Sequence, residues 1–209
     1  MIDKDIEVLI KQLEKVFHSY FETPLKLKRS AINTWVSDGD SFAINKFDIP
    51  PERVHVKKWY DNYWIYIRLN VRMIERTKKA THYALFVSIS FFEGQYNEEV
   101  KNQLFRAEWD NYITDNQNIH PQPHWHITPN QSLIYKLDEI TSIDPLIVDM
   151  FKDENHNSLN IHNMHFAMCG DWIKTGNMQN ELSVVDDVIN WCKNVFIHVK
   201  KELDYINKY

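Results

Sequence analysis

The stretch of sequence that decides the fold is Tyr63-Trp64-Ile65-Tyr66-Ile67-Arg68-Leu69-Asn70-Val71-Arg72-Met73. Every second residue is apolar, which is the period of a β-strand with one buried face. The same alternation returns at residues 83–91, and a further strand is expected at 104–110. Because these strands follow one another with short connections, the sequence predicts an antiparallel meander.

Both ends of the chain have helical periodicity instead. Apolar residues recur three or four positions apart near the N-terminus and again near the C-terminus, which predicts two long amphipathic helices. We therefore predict one α+β domain with a mainly antiparallel sheet packed by these helices. The predicted parts are a domain over 1–209, a helix at about 2–22, a sheet at about 30–128, a mixed region at about 130–170 and a helix at about 182–206.

Two local features refine this organisation. Asp38-Gly39 lies between short alternating segments at 31–36 and 42–44, and this dipeptide is typical of a hairpin turn. Residues 132–137 and 145–151 have the pattern of short helices.

Composition excludes several classes of function. With 4 glycines in 209 residues and no glycine-rich phosphate loop, the chain is not expected to be a dinucleotide-binding or P-loop enzyme. A net charge of -5 argues against general nucleic-acid binding. Two cysteines without a paired motif, no signal peptide and no apolar run of about 20 residues predict a cytoplasmic protein with no membrane association. The wealth of Asn, Lys and Ile suggests a bacterial source.

The segment richest in candidate catalytic or metal-binding residues is His120-Pro121-Gln122-Pro123-His124-Trp125-His126-Ile127-Thr128-Pro129. In an extended strand, His124 and His126 point to one face while Trp125 and Ile127 anchor the other. Two imidazoles on one face indicate a metal, phosphate or proton-transfer site.

Carboxylates lie just upstream of this segment. Arg106, Glu108 and Asp110 share one face of the strand at 104–110. If that strand pairs with the histidine strand, the two carboxylates meet His124 and His126 in a cluster that binds a divalent metal, Zn or Mn, or relays protons. The ordinary alternative is a cross-strand ion pair between Arg106 and Glu108 with histidines that only support a turn.

The candidate roles can be assigned residue by residue. Catalytic roles fall to His124, His126, Glu108 and Arg106, and substrate contacts to Arg106 and Gln122. Metal ligands are expected among His120, His124, His126, Asp110 and His165.

The segment His124-Trp125-His126-Ile127-Thr128-Pro129 resembles the tail of the histidine-triad motif of nucleotide hydrolases and transferases. The resemblance implies that His124 is the nucleophilic histidine that attacks a nucleotide α-phosphate, and that His126 is the last histidine. Gln122 stands where the first would be, and Pro123 replaces an apolar residue. His126-Ile127-Thr128 and His156-Asn157-Ser158 also resemble the paired motifs of two-histidine phosphoesterases.

These patterns lead to two hypotheses from different classes. The first is a phosphoester hydrolase, of phosphodiesterase or nuclease type, that acts on a nucleotide or nucleic acid with or without the assistance of a metal. The second is a non-catalytic protein that binds a protein partner or acts as a sensor, for example in a bacterial toxin or antiviral defence (anti-phage) system. Metal content discriminates between them in part.

Overall fold

A computed structural model describes residues 3–46, 50–76, 78, 81–99, 101–111, 121–127, 166–168, 182 and 185–206. The described residues form two helices and nine strands. In chain order they are α1 (Asp3–His18), β1 (Leu27–Ala31), β2 (Thr34–Ser37), β3 (Ser41–Asn45), β4 (Glu52–Tyr60), β5 (Tyr63–Arg76), β6 (Thr81–Glu93), β7 (Asn102–Asp110), β8 (His124–Ile127), β9 (Phe166–Ala167) and α2 (Val185–Ile206).

The strands build an antiparallel sheet in the order β1-β2-β5-β6-β7-β8-β9. Strand β5 pairs with β6 along one edge and with two strands along the other edge. There β2 pairs with residues Arg68 to Asn70 of β5, and β4 pairs with residues Tyr63 to Ile65 of β5. The opposite edge of β4 pairs with β3. Strands β5 to β8 are neighbours in chain order, so the antiparallel sheet and this part of the meander are confirmed. The arrangement fits a single α+β domain.

The predicted hairpin at Asp38-Gly39 is wrong. Strand β2 pairs with β1 and β5, whereas β3 pairs with β4. The first tight hairpin turn lies one strand earlier, and Asn33 adopts the positive φ of 60° that such a turn requires. Gly39 instead allows a close approach between segments, since a Cβ there would lie 2.5 Å from the backbone nitrogen of Val56.

The apolar face of the sheet packs against both helices. Alternate residues of β5, β6 and β7 are buried there, and the side chain of Phe196 from α2 lies among aromatic rings of α1, β4 and β6. The buried members of this core on the three strands are Tyr63, Ile65, Ile67, Leu69, Val71, Leu85, Val87, Ile89, Phe91, Ala107 and Trp109. Because neighbouring side chains of a strand point to opposite faces, the polar residues between these core residues point to the other face.

That second face has an apolar cluster at one end. The β3–β4 hairpin contributes Ala43, Val54 and Val56, which pack with Trp64, Tyr66 and Phe92 of the sheet. Farther along the same face, the side chains from β6, β7 and β8 are polar and buried. This polar region is where the predicted site lies.

Some predictions fall on residues that the structure does not describe. The short helices expected at 132–137 and 145–151 lie outside the described residues, as does most of the mixed region. Among the helices that are described, none combines the length and apolar character needed to span a membrane.

Candidate metal centre

Pairing of β7 with β8 builds the site. The two strands run antiparallel, with Arg106 opposite His126 and Glu108 opposite His124. Directly opposed residues in a sheet have side chains on the same face, about 5 Å apart at Cβ. Of the two carboxylates predicted to meet His124 and His126, Glu108 contacts both histidines, whereas Asp110 does not join the group among the described residues.

A contact on the helix-covered face of β8 fixes the direction of the two histidine side chains. Trp125 stacks edge-on against Phe105, with ring centroids 5.6 Å apart, on the helix-covered face. Since neighbouring side chains of a strand alternate, anchoring Trp125 there holds His124 and His126 on the opposite face. A shift of one residue in register would reverse all three, so the packing of one indole determines where two imidazoles point.

Three donor atoms converge at the centre of the cluster. Oε2 of Glu108 lies 2.6 Å from Nε2 of His126 and 3.4 Å from Nε2 of His124. The two Nε2 atoms lie 2.9 Å apart. The three residues are buried, with relative exposures of 5% for Glu108, 1% for His124 and 6% for His126. Such an arrangement puts three possible ligand atoms around one point that solvent hardly reaches.

Arg106 holds the other side of the carboxylate. Its Nη2 lies 3.0 Å from Oε1 of Glu108, so that Oε2 is left to face the two imidazoles. Burial by itself would raise the pKa of Glu108. Hydrogen bonds from His124 and His126, together with the charge of Arg106, outweigh that effect and hold the pKa well below its usual range. Glu108 is therefore an anion at neutral pH.

Gln122 and Asp110 form a second layer at the end of β7. The side-chain amide of Gln122 donates to Oδ2 of Asp110 at 2.9 Å, and its oxygen accepts a hydrogen bond from the Asp110 backbone nitrogen at 3.1 Å. The peptide bond between Gln122 and Pro123 is cis. Asp110 does not belong to the group of converging donors among the described residues. Both residues lie where they can fix the start of β8.

Several candidates fall on residues that the structure does not describe. His120 and His165, the other predicted ligands, lie outside the described residues. The same holds for the proline that ends the histidine-triad resemblance and for the second phosphoesterase motif. The undescribed positions with a predicted role are His120, Thr128, Pro129, His156, Asn157, Ser158 and His165.

The donor set fits a divalent metal ion. Glu108, His124 and His126 each offer one ligand atom, and these atoms lie within 4.8 Å of one another. A metal with bonds of about 2.1 Å separates neighbouring ligand atoms by about 3.0 Å in an octahedron and about 3.4 Å in a tetrahedron. Two of the observed separations, 2.9 and 3.4 Å, match these values, whereas the 2.6 Å between Oε2 of Glu108 and Nε2 of His126 is that of a hydrogen bond and would lengthen if both atoms held a metal. Two histidines and one carboxylate are also the ligands of many catalytic zinc and iron sites.

Sequence reasoning missed the polar residues on β5 and β6 that continue the site. Ser88 and Ser90 are buried on the same face, next to β7. The signal was present in the alternation of polar and apolar residues along 83–91. Alternation shows only that these two serines share a face of β6, and the register is needed to show that they adjoin Glu108 and Arg106.

Comparison with known proteins finds no match: no family model, no curated protein and no solved structure matches the chain. Function must therefore be argued from the geometry and chemistry of the site.

Proposed function

We propose that Glu108, His124 and His126 bind one divalent metal ion and that the protein is a metal-assisted phosphoester hydrolase. The observation that carries this proposal is the convergence of three buried donor atoms within 4.8 Å. Two imidazole nitrogens and a carboxylate oxygen cannot all accept hydrogen bonds from one another. When the two Nε2 atoms carry no proton, a cation at the common point can take the place of the hydrogen bonds to Glu108 and bind all three atoms at once.

The surrounding residues suit hydrolysis. A divalent metal at this position supplies a Lewis acid and lowers the pKa of bound water. Two neutral imidazoles and one carboxylate leave a divalent ion with net positive charge. Arg106 orients the carboxylate through Oε1 and adds a guanidinium, a group that pairs well with phosphate. Zn and Mn are the metals we propose.

A metal-free mechanism uses the same residues differently. In that version Nε2 of His124 attacks the phosphorus, the ester P–O bond breaks, and the departing oxygen takes a proton from His126, while Glu108 orients the imidazoles. Water then hydrolyses the N–P bond and releases phosphate. The contact of 2.6 Å between Glu108 and His126 supports such a relay. Chelation separates the versions, since a metal-free enzyme keeps its activity in EDTA.

The test is hydrolysis of p-nitrophenyl phosphate and bis(p-nitrophenyl) phosphate by protein purified without a histidine tag. The metal-stripped protein is assayed before and after addition of Zn or Mn. We expect metal to restore activity, and expect Glu108→Gln and the His124→Ala/His126→Ala double variant to lose at least about 100-fold.

His198→Ala is the matched control, because His198 is exposed on α2 and lies on the core side of the sheet. Circular dichroism of each variant separates loss of chemistry from loss of fold. The hydrolase proposal is contradicted if metal-loaded wild type cleaves neither ester, or if the double variant is folded and as active as His198→Ala.

The second candidate function is binding of a protein partner, in a sensing or anti-phage role. It is favoured by an apolar cavity of about 390 Å³ between β7, β8, β9 and α2, lined mainly by Phe105, Trp125, Ile127, Phe166, Leu203 and Ile206. Ile206 is 63% exposed. In this proposal the long amphipathic α2 presents an interface. Ile206→Glu should then release a co-purifying partner while Glu108→Gln retains it; the reverse result contradicts it.

A further inference from the structure

Strands β5 and β6 extend past the rest of the sheet as a two-stranded ribbon. Strand β2 pairs with β5 no farther than Asn70, and β7 pairs with β6 no earlier than Phe86. Strands β5 and β6 continue to pair with each other until Arg76, which stands opposite Thr81. We call the described residues between 72 and 84 the ribbon arm. Among the described strands, no third strand pairs with this arm.

The ribbon arm exposes two large apolar side chains. Met73 is 55% exposed and Ile74 is 59% exposed. Ile74 is the extra residue of a β-bulge, because Met73 stands opposite Tyr83 and the next pair is Glu75 with His82. Single exposed apolar residues are common on protein surfaces, whereas adjacent ones on a projecting element are typical of a contact surface.

The ribbon arm lies in the basic part of a chain that is acidic overall. Residues 72–79 carry four Lys or Arg and one Glu, which sum to +3, whereas the whole chain carries -5. The side chains of Arg76 and Lys78 are exposed, and among the described residues neither has an ion pair. Arg72 has further contacts and Lys79 lies outside the described residues, so the inference below rests on Arg76 and Lys78.

Two acidic residues lie in the arm or at its base along these strands. Glu75 is in the arm and precedes Arg76, so the two side chains point to opposite faces of the ribbon. Asp110 is at the base, opposite Phe86, where it accepts a hydrogen bond from Gln122. Phe86 is five positions from Thr81 on β6, about 16 Å along a strand, while charges in physiological salt are screened over about 8 Å. The far end of the arm therefore stays positively charged.

The dimensions of the ribbon arm match a groove of a DNA duplex. The five residues from Arg72 to Arg76 extend about 16 Å at about 3.3 Å per residue. The major groove of B-form DNA is about 12 Å wide and about 8.5 Å deep, and it admits a two-stranded β-ribbon. The arm is thus long enough to reach the floor of such a groove while the sheet stays outside it.

We propose that the ribbon arm binds double-stranded DNA in its major groove. Arg76 and Lys78 contact phosphates, and Met73 and Ile74 lie against the sugars or the base edges inside the groove. A duplex carries one negative charge per about 1.7 Å of its axis, so it offers phosphates to both cations at once. The inference goes beyond the proposed hydrolase and does not depend on it, because no residue of the arm is a proposed metal ligand.

The test is fluorescence anisotropy of a labelled DNA duplex titrated with the full chain in EDTA, so that no metal is present. A duplex of about 24 base pairs is used at about 50 to 200 mM salt, a range over which phosphate contacts change the affinity strongly. We expect wild type to bind, and Arg76→Glu/Lys78→Glu to bind at least about tenfold more weakly. The slope of log affinity against log salt should fall in size by about 1.8, since each phosphate contact contributes about 0.9.

The matched control is Lys193→Glu/Lys201→Glu, which changes the total charge by the same amount at exposed positions of α2. The ammonium of Lys200 lies 4.1 Å from the ring centroid of Tyr60, which pairs with the first residue of β5. This part of α2 therefore lies at the end of β5 opposite to the arm. We expect the control to bind DNA within about twofold of wild type, with circular dichroism to verify the fold of both variants.

Four outcomes overturn the proposal. The first two are a wild type that binds no DNA at low salt, and a control that loses as much affinity as the arm variant. The third is equal affinity for an RNA duplex of the same length, because the major groove of A-form RNA is too narrow for a ribbon. The fourth is binding to vesicles of phosphatidylcholine and phosphatidylserine without binding to DNA, which assigns the arm to a membrane surface. Since no metal is present, these results concern the arm alone and leave the proposed metal centre to its own test.

Discussion

Glu108 is a buried carboxylate whose two oxygens serve different partners. Oε1 lies beside Arg106, and Oε2 lies beside His124 and His126. A carboxylate with this many donors around it stabilises the folded state only while it is ionised. Its contribution to stability should therefore depend on pH in a direction that follows from its lowered pKa.

The first prediction concerns that dependence. The pKa of Glu108 is lower in the folded than in the unfolded chain, so its stabilising effect is complete above the unfolded pKa, near 4.3, and is lost as pH falls below it. Glu108→Gln should destabilise the protein by about 3 kcal/mol at pH 7, because it leaves Arg106 without its carboxylate. The difference should shrink at pH 3.5. Urea unfolding of both proteins at the two pH values measures it, and a pH-independent difference contradicts it.

The second prediction concerns Arg106 as a positioning residue. Arg106→Gln removes the group that holds Oε1, so Glu108 becomes free to turn and metal affinity should fall about 10- to 100-fold. Arg106→Lys keeps the charge and should restore part of the affinity. Metal titration of the three proteins is the measurement. Equal affinities in wild type and Arg106→Gln would show that the guanidinium does not orient the carboxylate.

At the scale of elements, the position of β8 depends on contacts made on the far side of the sheet. Trp125 packs against Phe105 and lies 6.3 Å from the ring of His198 in α2. The third prediction is that Trp125→Ala lowers metal affinity about tenfold and the free energy of unfolding by about 2 kcal/mol. Trp125→Phe keeps an aromatic ring at this position and should change metal affinity little. Metal affinity unchanged in Trp125→Ala would show that the anchor is dispensable.

Helix α2 provides the fourth prediction. Phe196 is fully buried, with its ring 5.3 Å from those of Phe17 and Trp59. Phe196→Ala should cost about 4 kcal/mol of unfolding free energy, since it leaves a cavity in the main core. Tyr205→Ala, at a position 62% exposed on the same helix, should change stability by less than about 0.5 kcal/mol. Similar losses in both variants would contradict the packing described for α2.

The elements also show how far sequence alone could lead. The strands β5 to β8 were predictable because each has a period of two and a short connection to the next. We predicted that Glu108 would lie beside His124 if β7 paired with β8, and the observed register places the two residues directly opposite each other. The hairpin at Asp38-Gly39 failed because a turn-forming dipeptide does not reveal which strands it joins. In this chain Gly39 is needed for close packing against Val56.

The position of Ser88 and Ser90 beside the candidate site could not be predicted for a related reason. The sequence does not show which residues of β5 and β7 stand opposite Ser88 and Ser90. Only the observed strand pairing places Ser90 between Tyr66 and Arg106, and Ser88 between Arg68 and Glu108. A shift of one residue would send both serines into the apolar core. Alternation identifies which residues share a face of one strand, while neighbours across strands require the structure.

At the scale of the whole molecule, the sheet separates two environments. One face is covered by α1, α2 and their aromatic contacts. The other carries the apolar cluster of the β3–β4 hairpin and the buried polar residues of the candidate metal centre. A metal bound on the polar face should stabilise the entire domain, because its ligands come from β7 and β8, two paired strands of the one sheet.

The fifth prediction quantifies this coupling. Ligand that binds only the folded chain stabilises it by about 2.7 kcal/mol at 100 times its Kd. For a protein of this size that corresponds to a rise in Tm of roughly 5–10 °C. Differential scanning calorimetry should show the rise for wild type and for His198→Ala, and its absence for Glu108→Gln. An equal rise in Glu108→Gln would place the metal elsewhere.

The most direct test of the account is the metal content of the folded chain. Tag-free wild type, Ser41→Ala and the His124→Ala/His126→Ala double variant are dialysed against Zn or Mn, washed and measured by elemental analysis, with circular dichroism to verify folding. The account predicts about one ion per chain for wild type and Ser41→Ala, and less than about a tenth of that for the double variant. A wild type that retains no metal, or a folded double variant that retains as much, contradicts it.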